Sequence, residues 1–534
     1  MSTPTTRTGP TDNLAGFLDL LSARGELKRV SAEVDPVLEI AAISDRMSKT
    51  PAPSPHTERD KHPASLLGGH ALLFTHVKNS EFPVAINTFG SYARVNLAFG
   101  TANLAELADR VQQLVKPEIP TTLLEKMKKL PDLLKMASYP PRIVRSGPCQ
   151  DVVLEGDRAD LTRLPILQCW PLDGDVTSTE VDLRHAASVS AGTSGPRGTG
   201  RYITLGGIHT RHPETLARNI GMYRVQVFGP RLAAMHWHMH HDGARHFRAY
   251  QVRGEKMPLA ICLGGGSVMP YAATAPLPPG IEEHLFAGFL NGGGIDLVPC
   301  KTIPLEVPAQ SEIVIEGFVD PSQTLLEGPF GDHTGFYSLA DRYPAFHVTA
   351  ITHRKNAVYP ATVVGRPPME DYFLGKATER IFLPLLKTLV PDITDYSLPM
   401  AGVFHNCAYI KIKKEYPLQA RRVMHAIWGA GQMAFTKFIV VVDDDVDVHD
   451  EQQVLFHLYA HCDPARDTEI VRGPVDILDH AAPELGVGSK LGFDATRKLP
   501  QESLGYGVRK YPKPLGYPPE VQALLDRRWR VYGL

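Results

Sequence analysis

The apolar positions Leu14, Phe17, Leu18 and Leu21 fall three and four residues apart, which lines one face of a helix. Asp12 stands ahead of this run in a capping position, and Gly25 follows where a left-handed terminus is often needed, so the pattern predicts an N-terminal helix behind a loose tail. Proline and charge interrupt the pattern over residues 50–65, beginning TPAPSPHTERDKHPA, which predicts an exposed loop within the first domain that carries no chemistry. The segment LLEKMKKLPDLLKMASYPP, from 123 to 141, is basic and helical in pattern until its prolines, as a solvated linker helix would be. From about 150 to 345 short β-type runs separated by glycine and proline take over: RYITLGGIHT, MYRVQVFG, MPLAICLGGG and EIVIEGFVD. They predict a β-rich domain of barrel type. FHVTAITHR and AVYPATVVG are then spaced to pair across Lys355 and Asn356. Helical segments around 376–389, 417–428 and 451–461 alternate with AYIKIKK and KFIVVVD, which predicts an α/β domain. The last helical piece, EVQALLDRRWRVYGL, follows the proline-rich YPKPLGYPP in the manner of a docking tail.

Length and composition set outer bounds on this picture. A chain of 534 residues holds about three domains. A formal charge of −2 supplies no global attraction for nucleic acid and leaves a small ligand as the better partner. The opening residues lack the apolar core of a signal peptide, and no apolar run approaches the ~20 residues of a membrane span, so a cytoplasmic protein without a transmembrane segment is expected. The cysteines Cys149, Cys169, Cys262, Cys300, Cys407 and Cys462 are scattered singly, which speaks against structural zinc and a disulfide framework and reads as buried small hydrophobes.

Three segments carry candidate chemistry. MHWHMHHDGARHF crowds His236, His238, His240, His241 and His246 around Trp237. Alternation would place His236, His238 and His240 on one strand face, yet the H-E-x-x-H spacing of zinc proteases is absent. The cluster reads either as a ligand-binding group or as a polar, half-exposed strand. In LLEGPFGDHTGFY, Glu327 and Asp332 bracket Gly328, Pro329, Phe330 and Gly331, a tight loop whose two carboxyls could divide acid and base roles beside an aromatic wall. A surface turn with solvated acids is the other reading. In ARNIGMYRVQV, Asn219 offers a neutral oxygen to a cation and Arg224 a rigid fork to a carboxylate. The glycine runs 264–266 and 292–294 lack the context of a dinucleotide site.

Taken in order, RNIGMYRVQV, MHWHMHHDGARHF, ATAPLPPGIEEHLFAG, LEVPAQSEIVIEGF, EGPFGDHTGFY, VVGRPPMEDYFLGKATER, FTKFIVVVDDDVDVHD and GVGSKLGFDATRK resemble the UbiD family over roughly 160–500. The resemblance implies a mixed α/β architecture: a central split β-barrel that binds flavin, flanked by an N-terminal α/β domain and a C-terminal α/β domain with a terminal helix. On this sequence the divisions fall at 1–145, 146–345, 346–510 and 511–534. The implied activity is a reversible, non-oxidative decarboxylation of an aromatic, heteroaromatic or α,β-unsaturated acid through a covalent adduct with prenylated FMN. That chemistry suits the problem, because loss of carbon dioxide leaves charge on carbon and no ordinary side chain is an electron sink.

Carried over residue by residue, the resemblance implies that Asp332 donates a proton, Arg224 holds the substrate carboxylate or orders the acids, and Glu327 tunes the network and assists flavin maturation. It places a divalent ion, Mn2+ first, on Asn219, His246 and Glu283, with K+ as a further candidate ion, and flavin contacts on Asn219, Met222, Tyr223, Arg224, His236, Trp237 and His238. The partners implied are a small carboxylic acid, a flavin prenyltransferase that supplies the cofactor, and copies of the chain itself in a dimer or hexamer. The GDHTG and GRPPMED segments resemble bacterial aromatic-acid members more than fungal cinnamic-acid decarboxylases. Hydroxybenzoate-like and heteroaromatic acids therefore rank ahead of the others, with a polyprenyl hydroxybenzoate as a further candidate. Two readings from other classes stand beside this one: a flavin- or phosphate-binding protein without turnover, and a metal-dependent hydrolase using the His236 to His246 cluster.

Overall fold

The structure, a computed structural model, describes residues 9–115, 135–178, 196–238, 241–278, 280–503, 505, 508 and 510–533. The start of the tail, most of the expected linker helix and His240 lie outside the described residues.

The first helix is Leu14–Ala23, and its four predicted apolar positions are buried. Leu14 and Leu18 pack with Leu73 and Ala85, whereas Phe17 and Leu21 join Tyr92 and Phe99. The cap is Asn13 and not the predicted Asp12, because the chain turns into the helix one residue later and Asn13 Oδ1 accepts from the Gly16 N–H at 2.8 Å. The sheet beneath runs Leu27–Val34, Ala71–Val77, Val84–Ile86 and Tyr359–Ala361. Its fourth strand corrects an expectation. AVYPATVVG does not fold back on FHVTAITHR; Tyr359–Ala361 pairs in parallel with Val84–Ile86, and Asp341–His353 pairs antiparallel with Ile313–Glu327. All three residues of Tyr359–Ala361 are buried, as suits a strand paired in parallel inside a covered sheet.

The central sheet has nine strands and curls into a half-barrel. Its spine is the antiparallel pair Ile313–Glu327 and Asp341–His353, flanked on one side by Leu232–Met235, Val225–Gly229 and Tyr202–Ile203. On the other side come Met257–Leu263, Gly206–Arg211 and Arg218–Met222, and Val152–Glu155 pairs with Asp341–His353. Ile313 and Ile315 enter one apolar cluster with Val225, Met235 and Phe346, while Val314 enters another with Cys262 and Val298. Covering both faces explains why EIVIEGFVD reads as a nearly continuous apolar run.

The C-terminal sheet runs Ile393–Ser397, Cys407–Ile412, Phe438–Asp443, Val487–Asp494 and Thr468–Pro474, with its three inner strands parallel. Helices Glu370–Leu389, Gln419–Trp428 and Glu451–His461 alternate with these strands as predicted. The terminal helix Pro519–Arg528 buries none of its residues against this chain.

The 50–65 loop is exposed at alternate positions, as its composition predicts, but its half-buried positions also make tertiary contacts. Asp60 is half-buried and accepts from the hydroxyls of Tyr92 and Tyr372 and from the His62 N–H. Lys61 pairs with Asp447 at 2.6 Å, and Arg59 reaches Asp395 at 3.4 Å. The loop therefore ties the N-terminal region to the C-terminal sheet through polar contacts that apolar periodicity does not register. Cys149, Cys169 and Cys262 are buried, the other three are partly so, and all six are free thiols. Among the described residues no helix is long and apolar enough to cross a membrane.

Candidate active site

Arg224 sits in the two-residue step between strands Arg218–Met222 and Val225–Gly229, and Glu327 is the last residue of the long spine strand. The loop that follows returns Asp332 toward Arg224. Arg224 Nε and Nη2 donate to the two Glu327 oxygens at 3.0 and 3.1 Å, and Nη1 donates to Asp332 Oδ2 at 2.6 Å. Nη2 also donates to the Ser338 hydroxyl at 2.9 Å. Four of the five guanidinium N–H groups are thus engaged among the described residues, and the second N–H of Nη1 has no partner there.

The chain of contacts continues on both sides. His236 Nδ1 lies 2.7 Å from Glu327 Oε2, and His236 Nε2 lies 2.7 Å from His238 Nε2. On the other side Asp332 Oδ1 accepts from the His333 backbone N–H and lies 2.8 Å from His333 Nδ1.

Burial alone would raise both carboxyls, but His333 and Arg224 hold Asp332 far below the ordinary carboxylate range, and Arg224 and His236 bring Glu327 below its own. Both acids are ionised at neutral pH. Burial, and then the charge of Arg224, lowers His236 and keeps it neutral. Burial opposes a charge on His333, yet Asp332 raises it above the usual histidine value.

The EGPFG turn is fixed by groups that the sequence does not single out. The Gly328 N–H donates to Gln226 Oε1, the Gly331 N–H donates to Asp173 Oδ1 at 2.7 Å, and the Tyr202 hydroxyl donates to the Gly328 and Pro329 carbonyls. Phe330 lies against the Arg224 guanidinium at 4.8 Å and against Tyr202 at 4.7 Å. At Gly331 a Cβ would stand 2.1 Å from Trp170 Cδ1, so only glycine lets the turn pass under the indole. Gly331→Ala is expected to destabilise the protein by about 1–3 kcal/mol through this overlap. An unchanged urea midpoint would show that Trp170 moves aside freely.

Asn219, His246 and Glu283 gather around the other end of strand Arg218–Met222. Asn219 is in register with Thr210, whose hydroxyl lies 2.9 Å from His246 Nδ1, and the Ile220 N–H next to Asn219 donates to Glu283 Oε2 at 2.9 Å. Burial pushes Glu283 up to about 7 and, followed by His212, lowers His246 to about 4. Tyr223 folds back over Gly221, where a Cβ would come 2.2 Å from its ring, and meets Trp237 edge-on at 6.4 Å. Trp237 Nε1 is buried and makes no hydrogen bond among the described residues, and the Asn219 side chain is buried against Tyr223. Met222, partly buried, stands beside Tyr223 at the strand end.

The histidine cluster divides. His236 and His238 join the Glu327 side, adjacent Trp237 turns to Tyr223 and Phe247, and His246 bonds Thr210. Among the described residues no three His, Cys, Asp or Glu side chains stand together as a metal site.

Three family models match the chain. They are the N-terminal domain of 3-octaprenyl-4-hydroxybenzoate carboxy-lyase over residues 18–114, its Rift-related domain over 142–367 and its C-terminal domain over 372–495. An uncharacterized protein of Aquifex aeolicus is 43% identical over 523 residues, 98% of this chain and 99% of its own length. One of Archaeoglobus fulgidus is 41% identical over 520 residues, 97% and 98% of the two chains. Among solved structures, the UbiD-class enzyme HmfF from Pelotomaculum thermopropionicum in complex with FMN matches with a TM-score of 0.71 at 26% identity, covering 94% of this chain and 97% of that one. The closed form of vanillic acid decarboxylase from Sedimentibacter hydroxybenzoicus shares the fold, with a TM-score of 0.77 at 23% identity over 98% and 99% of the two chains. Three consecutive domain matches and relatives similar over nearly their whole length establish that this chain belongs to the UbiD family of carboxy-lyases.

Proposed function

We propose that this carboxy-lyase removes carbon dioxide, reversibly and without oxidation, from an aromatic or heteroaromatic acid, with α,β-unsaturated acids as the wider class, using prenylated FMN. The observation that carries the reading is Arg224 clamped between Glu327 and Asp332 with one N–H left over. Support for the cofactor comes from HmfF, solved with FMN, and from an evolved dimeric form of HmfF solved with prFMN.

The residues around Asn219 fit a flavin phosphate and its divalent ion. Among the described residues the buried Trp237 donor has no partner, Asn219 is buried on strand Arg218–Met222, and Glu283 is a buried carboxyl that a nearby cation would return to its ionised form. Asn219, His246 and Glu283 would hold the ion, Mn2+ in first place, and Met222, Tyr223 and Trp237 would line the flavin. When bound, prenylated FMN supplies the electrophilic centre and electron sink that decarboxylation needs.

The protein's own part is to position and to move a proton. Glu327 and Ser338 fix the guanidinium plane, so its free N–H points the substrate carboxylate in one direction. Glu327 itself is aligned by His236, which His238 braces. Asp332 is the carboxyl nearest this anion site through Arg224 and is the group assigned to return a proton to carbon. The division of the chain into N-terminal, central and C-terminal parts belongs to the same reading, but a boundary at 345 falls inside the spine strand Asp341–His353, and Tyr359–Ala361 beyond it joins the N-terminal sheet, so the central part runs past that position. Exposed Leu515, Tyr517 and Val531 support assembly of copies through the terminal segment.

The test is carbon dioxide release by flavin-loaded protein from a panel of hydroxybenzoates, heteroaromatic acids and cinnamate. Release from at least one aromatic acid is expected; a loaded enzyme inert toward the whole panel would contradict the substrate class. A separate expectation concerns the ion. Glu283→Ala should lower flavin absorbance per mole of purified protein, because the phosphate charge loses its bridging cation. Equal occupancy in variant and parent would remove Glu283 from the set.

A further inference from the structure

His333 is held at both ring nitrogens. Nδ1 lies 2.8 Å from Asp332 Oδ1, and Nε2 lies 2.6 Å from Nε2 of His405. His405 comes from a separate region, the turn between Met400–Gly402 and the strand Cys407–Ile412. In that turn Val403 and Phe404 both adopt positive φ, 44° and 54°, a conformation that favours glycine. The turn nevertheless brings both following rings onto His333: Phe404 stacks on it at 5.1 Å and His405 meets it edge-on at 4.9 Å.

An Nε2 to Nε2 contact needs one donor and one acceptor, so the two rings share a single proton on that side. The charged groups facing His333 are Asp332, Asp371 and Asp476, with Arg224 beyond Asp332, and those facing His405 are His333, Asp332, Asp476 and Asp479. Burial, and then the charge of His333, lowers His405 to about 4, whereas Asp332 raises His333 against its burial. The extra proton therefore rests on His333, and neutral His405 accepts from it.

We propose that His333 is the proton reservoir for the decarboxylation and that His405 is the positioning residue that keeps its imidazolium charged and aimed at Asp332. The inference rests on the decarboxylase reading. Departure of carbon dioxide from a carboxylate leaves an electron pair on carbon, and each turnover consumes one proton. Asp332 is held as a carboxylate by Arg224 and His333, so it has no proton of its own to give. The His333 Nδ1 proton moves to Asp332 Oδ1, and Asp332 passes a proton to carbon and returns to carboxylate. His333, now neutral, regains a proton from water. Its side chain is 17% exposed, against 10% for Asp332, so of the pair the histidine is the one nearer solvent. Nothing is oxidised or reduced.

The test compares full-length parent with His405→Phe and His405→Gln. Phenylalanine keeps the ring packing and loses the acceptor; glutamine keeps an acceptor and loses the ring. Side-chain nitrogen NMR of protein labelled with 15N-histidine follows the His333 titration, with His333→Asn identifying its signal, and needs no turnover. In parent and His405→Gln, His333 is expected to titrate above the ordinary histidine value of about 6.5. In His405→Phe its midpoint is expected to fall by about one pH unit, and the alkaline limb of carbon dioxide release to fall with it, for about a tenfold loss at pH values above that limb. A parental titration in His405→Phe, or the same loss in both variants, would overturn the proposal. A parent with the expected titration that releases no carbon dioxide would instead overturn the decarboxylase reading beneath it.

Discussion

Replacing Arg224 with methionine is expected to destabilise the protein by about 3–5 kcal/mol, the usual result of leaving buried charge without its partner. Arg224 is 7% exposed and touches both Glu327, fully buried, and Asp332, 10% exposed. Methionine fills much of the same volume, so the loss reports the two stranded carboxylates rather than a cavity. The pH dependence provides a second readout. Both acids have folded-state pKa values below their ordinary ones, so each contributes stability that is present above its unfolded value and is lost as pH falls through the folded value. The gap between parent and Arg224→Met should accordingly be widest near neutrality and narrow in acid, below about pH 4. Urea unfolding across pH measures it, and a gap that stays constant into acid would show that Arg224 stabilises by packing. Arg224→Lys should recover part of the stability but little activity, since an ammonium cannot bind Glu327 through two parallel bonds.

Asp332→Asn is expected to lower turnover by at least about a hundredfold, the scale of a lost general acid. The amide is nearly the same shape and can still accept one of the bonds from Arg224 and His333, so the fold and flavin binding should persist with a stability loss of about 1–3 kcal/mol from the donor left facing the amide nitrogen. What it cannot do is take a proton from His333 and return it to carbon. The comparison is kcat at equal flavin occupancy, judged from absorbance. Turnover close to parental would remove Asp332 from the donor role.

Much of the scaffold was legible in the sequence because apolar period reports which faces are buried. EIVIEGFVD, KFIVVVD and the face of Leu14–Ala23 all fold as their patterns predict. Period does not report strand partners, so the pattern of AVYPATVVG fits pairing with the neighbouring strand when its partner is Val84–Ile86. Nor does composition register a half-buried polar anchor such as Asp60 within a charged loop.

The same division holds at the site. Arg224, Glu327 and Asp332 stand out individually as a fork and two bracketed acids, but residues more than a hundred positions apart can be joined only by family resemblance or by structure. The groups that hold them are not legible in the sequence: Ser338, Gln226, Asp173 and Trp170 act through single tertiary contacts with no local signature. His333 did carry a signal, since it directly follows Asp332 in GDHTG, whereas His405 has none until the C-terminal turn is folded against it.

The central claim, decarboxylation dependent on prenylated flavin, is tested most directly by producing the protein with and without a flavin prenyltransferase. Carbon dioxide release per mole is then measured with an aromatic acid that is turned over. Unmodified FMN can occupy the phosphate and ion subsite around Asn219 and Glu283, but it lacks the added ring and its electrophilic centre. Binding and activity should therefore separate: both preparations hold flavin, and only the one made with the prenyltransferase releases carbon dioxide. Full activity in a preparation shown to contain no flavin would contradict the account.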